Sequence, residues 1–91
     1  MLEKQLESKL VAFCKERGIY TRKFSSPSNR GVPDRIFVCN GHTLFMELKR
    51  EGEKPTKLQL HELSLLKAAG VTAVWCDNLT DAICYLGYIL P

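Results

Sequence analysis

No apolar run in this 91-residue sequence approaches the roughly 18–20 residues a membrane-spanning helix needs. There is also no signal-peptide pattern, because Met1 leads straight into a charged amphipathic segment. The chain is therefore expected to work in the cytoplasm, or in the nucleus where a host has one. Its four cysteines, Cys14, Cys39, Cys76 and Cys84, make no C-x-x-C pair and sit inside apolar stretches. That spacing argues against a zinc knuckle or a thioredoxin-like motif and reads as reduced core thiols. Histidine is down to His42 and His61, neither with a second histidine or acid at ligand spacing, so neither is taken as catalytic. Internal repeats, low-complexity tracts and linkers are missing, which leaves one small domain covering residues 1–91. Charge bias is slight: 13 Lys and Arg against 10 Asp and Glu give a net +3. That permits contact with a polyanion without requiring it.

The pattern predicts the order αβββαβα. A first helix is expected over about Glu3–Arg17, with Leu6, Leu10, Phe13 and Cys14 inward and Gly18 as the stop. Ile19–Phe24 reads as a strand, with Tyr20 and Phe24 expected in the core. A polar loop follows, then two strands, Gly31–Cys39 and His42–Lys49. A second helix is expected over Lys57–Ala69, capped by Thr56 and ended by Gly70. Val71–Cys76 is a continuous apolar strand, the kind covered on both faces, which places Trp75 in packing rather than base stacking. A last short helix is expected from Asp81 to about Leu90, capped by Thr80.

Between the two middle strands stands Asn40-Gly41, the strongest short-range signal for a two-residue type I′ hairpin. Such a turn pairs residues whose numbers sum to 81, Cys39 with His42 and, further down, Asp34 with Glu47. Directly opposed side chains have Cβ atoms roughly 4.5–5.5 Å apart. Like charges at that distance destabilise a hairpin unless something offsets them, and a divalent cation between hard oxygens does so. Lys49 falls on the same face as Glu47, about 6.6–7 Å along the strand, while Leu44, Met46 and Leu48 point the other way. A surface ion-pair cluster is the plainer reading of these residues, but it explains the Pro33-Asp34 entry poorly.

Two further polar residues lie near buried positions. Glu7 falls at the edge of the first helix's apolar sector, with Glu3 one turn earlier, and an inward-leaning Glu is costly unless paired or coordinated. Gln59 shares the stripe of Leu63 and Leu66, where it would either cap a backbone carbonyl or orient a carboxylate or water. Arg22, Lys23, Arg30 and Arg35, with Lys54 and Lys57 beyond the hairpin, are candidate phosphate contacts.

Gly31-Val32-Pro33-Asp34, then Glu47-Leu48-Lys49, then Gln59 ahead of leucines and Gly70-Val71, with a helical Glu in front, resembles the VRR-NUC domain of the PD-(D/E)XK nuclease superfamily. The small stand-alone form from phages and bacteria is the nearest variant. The opening helix, through Glu7, Leu10-Val11 and Gly18-Ile19, is also similar to that of archaeal-type Holliday junction resolvases. The resemblance covers about residues 3 to 78. It implies a restriction-endonuclease-like α/β fold, an αβββαβ core whose mixed central sheet is flanked by helices. It also implies a DNA endonuclease using Mg²⁺ or Mn²⁺, in a bacterial or phage-infected cell.

In that reading Asp34, Glu47 and the Leu48 carbonyl hold the metal. Lys49 positions or deprotonates the attacking water, or stabilises charge on the phosphorus. Glu7 completes the outer shell or binds a second ion. Relatives with Gln at the place of Glu7 and Glu one turn earlier make Glu3 the alternative. Branched or Holliday junction DNA cut by a homodimer is the expected substrate. A duplex or flap nickase of repair or restriction type is one rival, and a non-catalytic DNA-binding module on the same scaffold is the other. The apolar segment Ala82–Leu90 is expected either at the dimer interface or against its own sheet.

Overall fold

The sequence orders its elements as predicted, and the computed structural model describes all 91 residues. They are α1 (Glu3–Arg17), β1 (Tyr20–Lys23), β2 (Arg35–Cys39), β3 (His42–Leu48), α2 (Lys57–Ala68), β4 (Thr72–Cys76) and α3 (Leu79–Gly87). The strands form one mixed sheet in the order β1-β2-β3-β4, antiparallel across the first three and parallel between β3 and β4. A parallel partner needs a crossover connection, and α2 supplies it. No helix is long and apolar enough to cross a membrane.

Alternation along β3 divides the core in two. Leu44, Met46 and Leu48 join Phe37 on one face, where Leu6, Leu10 and Cys14 of α1 and Ala82 and Leu86 of α3 cover them. Phe45 points to the opposite face with Ala73, and Leu63 of α2 closes over them, flanked by Phe24, Ile36 and Trp75. Being buried on both sides makes β3 the rigid centre of the molecule. Cys14 and Cys76 are packing groups, since burial pushes their thiols up to about 11 and about 12. All four cysteines are free.

Local signals explain most boundaries. Gly18 adopts φ 71° and its N–H bonds the Cys14 carbonyl, which ends α1. Thr56 and Gln59 form a capping box at the start of α2: Gln59 N–H donates to Thr56 Oγ1 at 3.2 Å, and Thr56 N–H donates to Gln59 Oε1 at 2.9 Å. Asn40 (φ 52°) and Gly41 (φ 78°) make the type I′ turn, and every β2–β3 pair sums to 81, from Cys39–His42 to Arg35–Met46.

Several expectations are corrected. Regular pairing in β2 begins at Arg35 rather than Gly31, because Pro33 has no N–H to give a ladder and Gly31 takes φ 84°. β1 is shorter than Ile19–Phe24, and Tyr20 is not core: it stands 53% exposed on an edge strand. β4 is covered on both faces but closes the other sheet edge, which leaves Val74 and Trp75 half-buried. The cap of α3 is Asn78, not Thr80, because the Asn78 Oδ1 accepts Asp81 N–H at 2.8 Å. α3 ends at Gly87, after which Ile89 tucks back into the α1-side cluster. The apolar tail therefore packs largely on its own sheet, although Tyr88 is 77% exposed.

Gly31 is required twice over, by its positive φ and by a close approach. A Cβ built there would lie 2.9 Å from Leu58 Cγ and 3.1 Å from the Leu58 carbonyl carbon and oxygen, whereas one at Gly41 meets nothing within 4 Å. Gly31→Ala is expected to cost about 2–4 kcal/mol and Gly41→Ala about 1–2 kcal/mol, measured by urea unfolding. Equal losses at the two positions would show that the Leu58 contact does not matter.

Candidate active site

The hairpin register carries past β2 to bring Asp34 beside the end of β3. Asp34 Oδ2 accepts the Leu48 N–H at 2.8 Å, and the Asp34 carbonyl accepts the Phe24 N–H at 2.8 Å, so the residue is pinned between β1 and β3. Glu47 is 3% exposed. Its Oε2 accepts Gln59 Nε2 at 3.0 Å and faces Lys49 Nζ at 3.7 Å. Its Oε1 is buried with no partner at all. Lys49, itself 9% exposed, continues the strand through N–H donation to the Cys76 carbonyl at 2.9 Å. On its outer side Glu53 Oε1 lies 3.7 Å from Lys49 Nζ.

Gln59 does both things foreseen for it, since its Oε1 closes the α2 cap while its Nε2 orients Glu47. The helix terminus thus fixes one carboxylate oxygen and leaves the other buried without a hydrogen bond. Burial, and then the neighbouring Asp34 charge, push the Glu47 carboxyl up to about 8 despite the attraction of Lys49. Burial likewise raises Asp34, with the Leu48 N–H opposing. Two carboxyls held above their usual range, one with an orphan oxygen, are what a hard cation would relieve.

No group of three or more His, Cys, Asp or Glu side chains forms a complete cage. The donor set is two carboxylates beside a main-chain segment, and this fits Mg²⁺ or Mn²⁺: Mg²⁺ commonly takes only one or two protein carboxylates and keeps several waters.

The other residues separate. Glu7 is held by ion pairs, its Oε2 accepting Arg35 Nη1 at 2.8 Å and its Oε1 lying 3.9 Å from Lys23 Nζ, while its charge also raises Asp34. Arg35 pairs with Met46, so it points to the α1 face, away from Glu47, and its Nε donates to Thr21 Oγ1 at 3.2 Å. At 8% exposure Arg35 is an internal ion-pair partner rather than a surface phosphate contact. Glu3 feels the same charges: burial and then Asp34 raise its carboxyl, and Lys49 lowers it. Arg22, Lys23, Arg30, Lys54 and Lys57 are exposed. A cleft of about 710 Å³ between the start of α1 and the 50–53 loop adjoins Lys49 through Arg50 and Glu53 and includes neither Asp34 nor Glu47. Sequence reasoning missed Glu53, whose only local signal is its i,i+4 spacing from Lys49.

An acid before β2, an acid-x-lysine at the end of β3 and a glutamine opening α2, on an αβββαβα frame, define the restriction-endonuclease-like class. The chain has the VRR_NUC fold and belongs to one family with a phage protein that carries a nuclease name. A protein of Acyrthosiphon pisum secondary endosymbiont phage 1 bearing the name "Putative nuclease p44" is 42% identical over 77 residues, covering 84% of this chain and 83% of that protein. Two solved structures share the fold. A VRR_NUC domain has a TM-score of 0.84 at 22% identity, covering 94% of this chain and 95% of its own. A VRR_NUC domain protein has a TM-score of 0.84 at 17% identity, covering 98% and 88%. No family model matches the sequence.

The acid pair makes folding depend on pH. Unfolded, Glu47 titrates near 4.5; folded, near 8. Between these values the native state holds a proton that the unfolded state has released, so stability falls as pH rises through the window. In chelator, Tm is expected to drop by at least about 4 °C from pH 5 to pH 8. Millimolar Mg²⁺ at pH 8 should restore it. Glu47→Gln should raise the metal-free Tm at pH 8 and lose the Mg²⁺ response. A Tm that is flat or rising across the window would overturn this account.

Proposed function

We propose that this chain is an Mg²⁺- or Mn²⁺-dependent endodeoxyribonuclease that hydrolyses phosphodiester bonds in branched or Holliday junction DNA as a homodimer, in the cytoplasm of a bacterial or phage-infected cell. The observation that carries the reading is the half-buried Asp34 with the buried Glu47, whose Oε1 is unpartnered and whose Oε2 faces Lys49, on the frame shared with VRR_NUC structures. The metal would be held by Asp34, Glu47 and the Leu48 carbonyl, supplying a more acidic water and charge to offset the phosphate.

The side chains of this protein divide the remaining work. Gln59 keeps Glu47 in one rotamer and leaves its other oxygen without a hydrogen bond. Lys49 brings a cation to where the attacking water or the phosphate develops charge, its position set between Glu47 and Glu53. Glu7, whose charge raises Asp34, supplies the further acid, with Glu3 as the alternative. Arg22, Lys23, Arg30, Lys54 and Lys57 hold the backbone without reading sequence. Two-fold pairing is part of the proposal because specific DNA interfaces bury about 1,000–2,500 Å² of protein, a large share for one copy of a 91-residue chain. A junction offers matching symmetry.

Incubation with a four-way junction, a flap and linear duplex in Mn²⁺ tests the reading. Paired symmetric nicks confined to the junction are expected; cutting of flap or duplex alone would move the protein to the nickase class. Asp34→Asn and Glu47→Gln should abolish cleavage, and Lys49→Ala should slow it about 10²–10⁴-fold, with DNA binding in chelator unchanged. A wild-type protein that binds DNA yet never cuts any would make the fold a binding module.

A further inference from the structure

The sheet face that carries the carboxylates does not end at the active site. Pairing places Tyr20, Val38 and Thr43 in one row on that face, and Arg22, Ile36 and Phe45 in the next. Phe24 and Asp34, joined by a backbone bond, follow beside Glu47. The rows are roughly 7 Å apart, so a straight path leads from Tyr20 past Arg22 to the acids. α2 covers this face at Phe45 and Ala73, through Leu63, and leaves the β1 end open. There Tyr20 is 53% exposed and the Arg22 guanidinium carbon lies 4.4 Å from the centre of its ring. Arg22 Nη1 also donates to its neighbour's carbonyl, Thr21 O, at 2.7 Å, so the guanidinium is held from two sides. Beside it a shallow groove of about 300 Å³ runs along the edge strand, lined by Val11, Lys15, Ile19, Tyr20, Thr21 and Arg22.

We infer that Tyr20 and Arg22 form a stacking subsite for an unpaired base of the substrate strand, resting on the proposed nuclease function and adding a binding site to it. Lone exposed apolar residues such as Leu58, Leu60 and Leu65 need no special account. This pair differs because the ring backs a planar cation that is itself exposed, on the face of the acids. Bases splayed from a duplex stack on aromatic rings and on arginine planes, whatever their sequence. Lys15 across the groove adds a charge for the adjoining phosphate. A subsite of this kind selects DNA with unpaired nucleotides next to the cut over continuous duplex.

The test is fluorescence anisotropy in chelator, where no cleavage occurs, with labelled single-stranded DNA, the same strand with abasic sites throughout, and blunt duplex. Tyr20→Ala should weaken single-strand binding roughly 5- to 100-fold and leave abasic-strand and duplex binding within about twofold, and Arg22→Lys, which keeps the charge beside the backbone, should weaken single-strand binding more than abasic-strand or duplex binding. Tyr20→Phe should bind like wild type. Equal weakening on all three probes would mean that Arg22 is only a phosphate contact, and no weakening would mean that the ring is idle; either overturns the subsite. Circular dichroism confirms that the variants fold, and if Tyr20→Ala does not, Arg22→Lys against the abasic strand decides alone. A protein that cuts DNA but shows no such discrimination loses the subsite and keeps the nuclease function. One that discriminates but never cuts keeps the subsite and loses the nuclease function.

Discussion

Two neighbouring carboxylates at the end of a β-hairpin, Glu47 buried and Asp34 half-buried, are the constraint around which this small protein is built. Asp34 and Glu47 would relax if either could swing to solvent, and the structure prevents it. The Leu48 N–H pins Asp34, and Gln59 at the α2 terminus pins Glu47. Apolar packing on both faces of β3 holds the strand that carries Glu47. The raised carboxyl of Glu47 and its unpartnered oxygen are stored strain of an electrostatic kind, a stability cost concentrated where a cation is wanted. Stability and activity meet in the same two side chains.

The rest of the polar interior follows a different logic. Arg35 is nearly as buried as Glu47, but it is matched: Glu7 and Thr21 satisfy it from α1 and β1. Breaking such a pair leaves an uncompensated charge inside, so its role is to dock α1 in one position on the sheet. That position carries Glu3, at the first turn, into reach of Asp34 and Lys49. The opposite face of the sheet has its open surface at the Tyr20 end of β1 and the mismatched acids at the other end.

Much of the fold could be read from residues close together in the chain. Asn40-Gly41 determines the hairpin register, and with it the pairing of Asp34 and Glu47, because only a type I′ turn accommodates two consecutive positive φ values there. Gly18 stops α1 and Thr56 with Gln59 starts α2, each through bonds spanning five residues or fewer. The core alternation of β3 is legible for the same reason, since a strand's period is a local property.

Tertiary structure alone decided the partners that lie far away. Glu7 looks like a ligand on a helical wheel, but Arg35, 28 residues later, takes it, and nothing in the periodicity of α1 announces that. Tyr20 reads as core until the sheet order makes β1 an edge that α2 does not reach. Asn78 outcompetes Thr80 as a cap by one hydrogen bond, and Gly31 is needed because α2 passes close to it. Backbone propensity and turn chemistry act within a few residues. Burial, charge pairing and exposure depend on which surfaces meet, and only the folded chain brings those surfaces together.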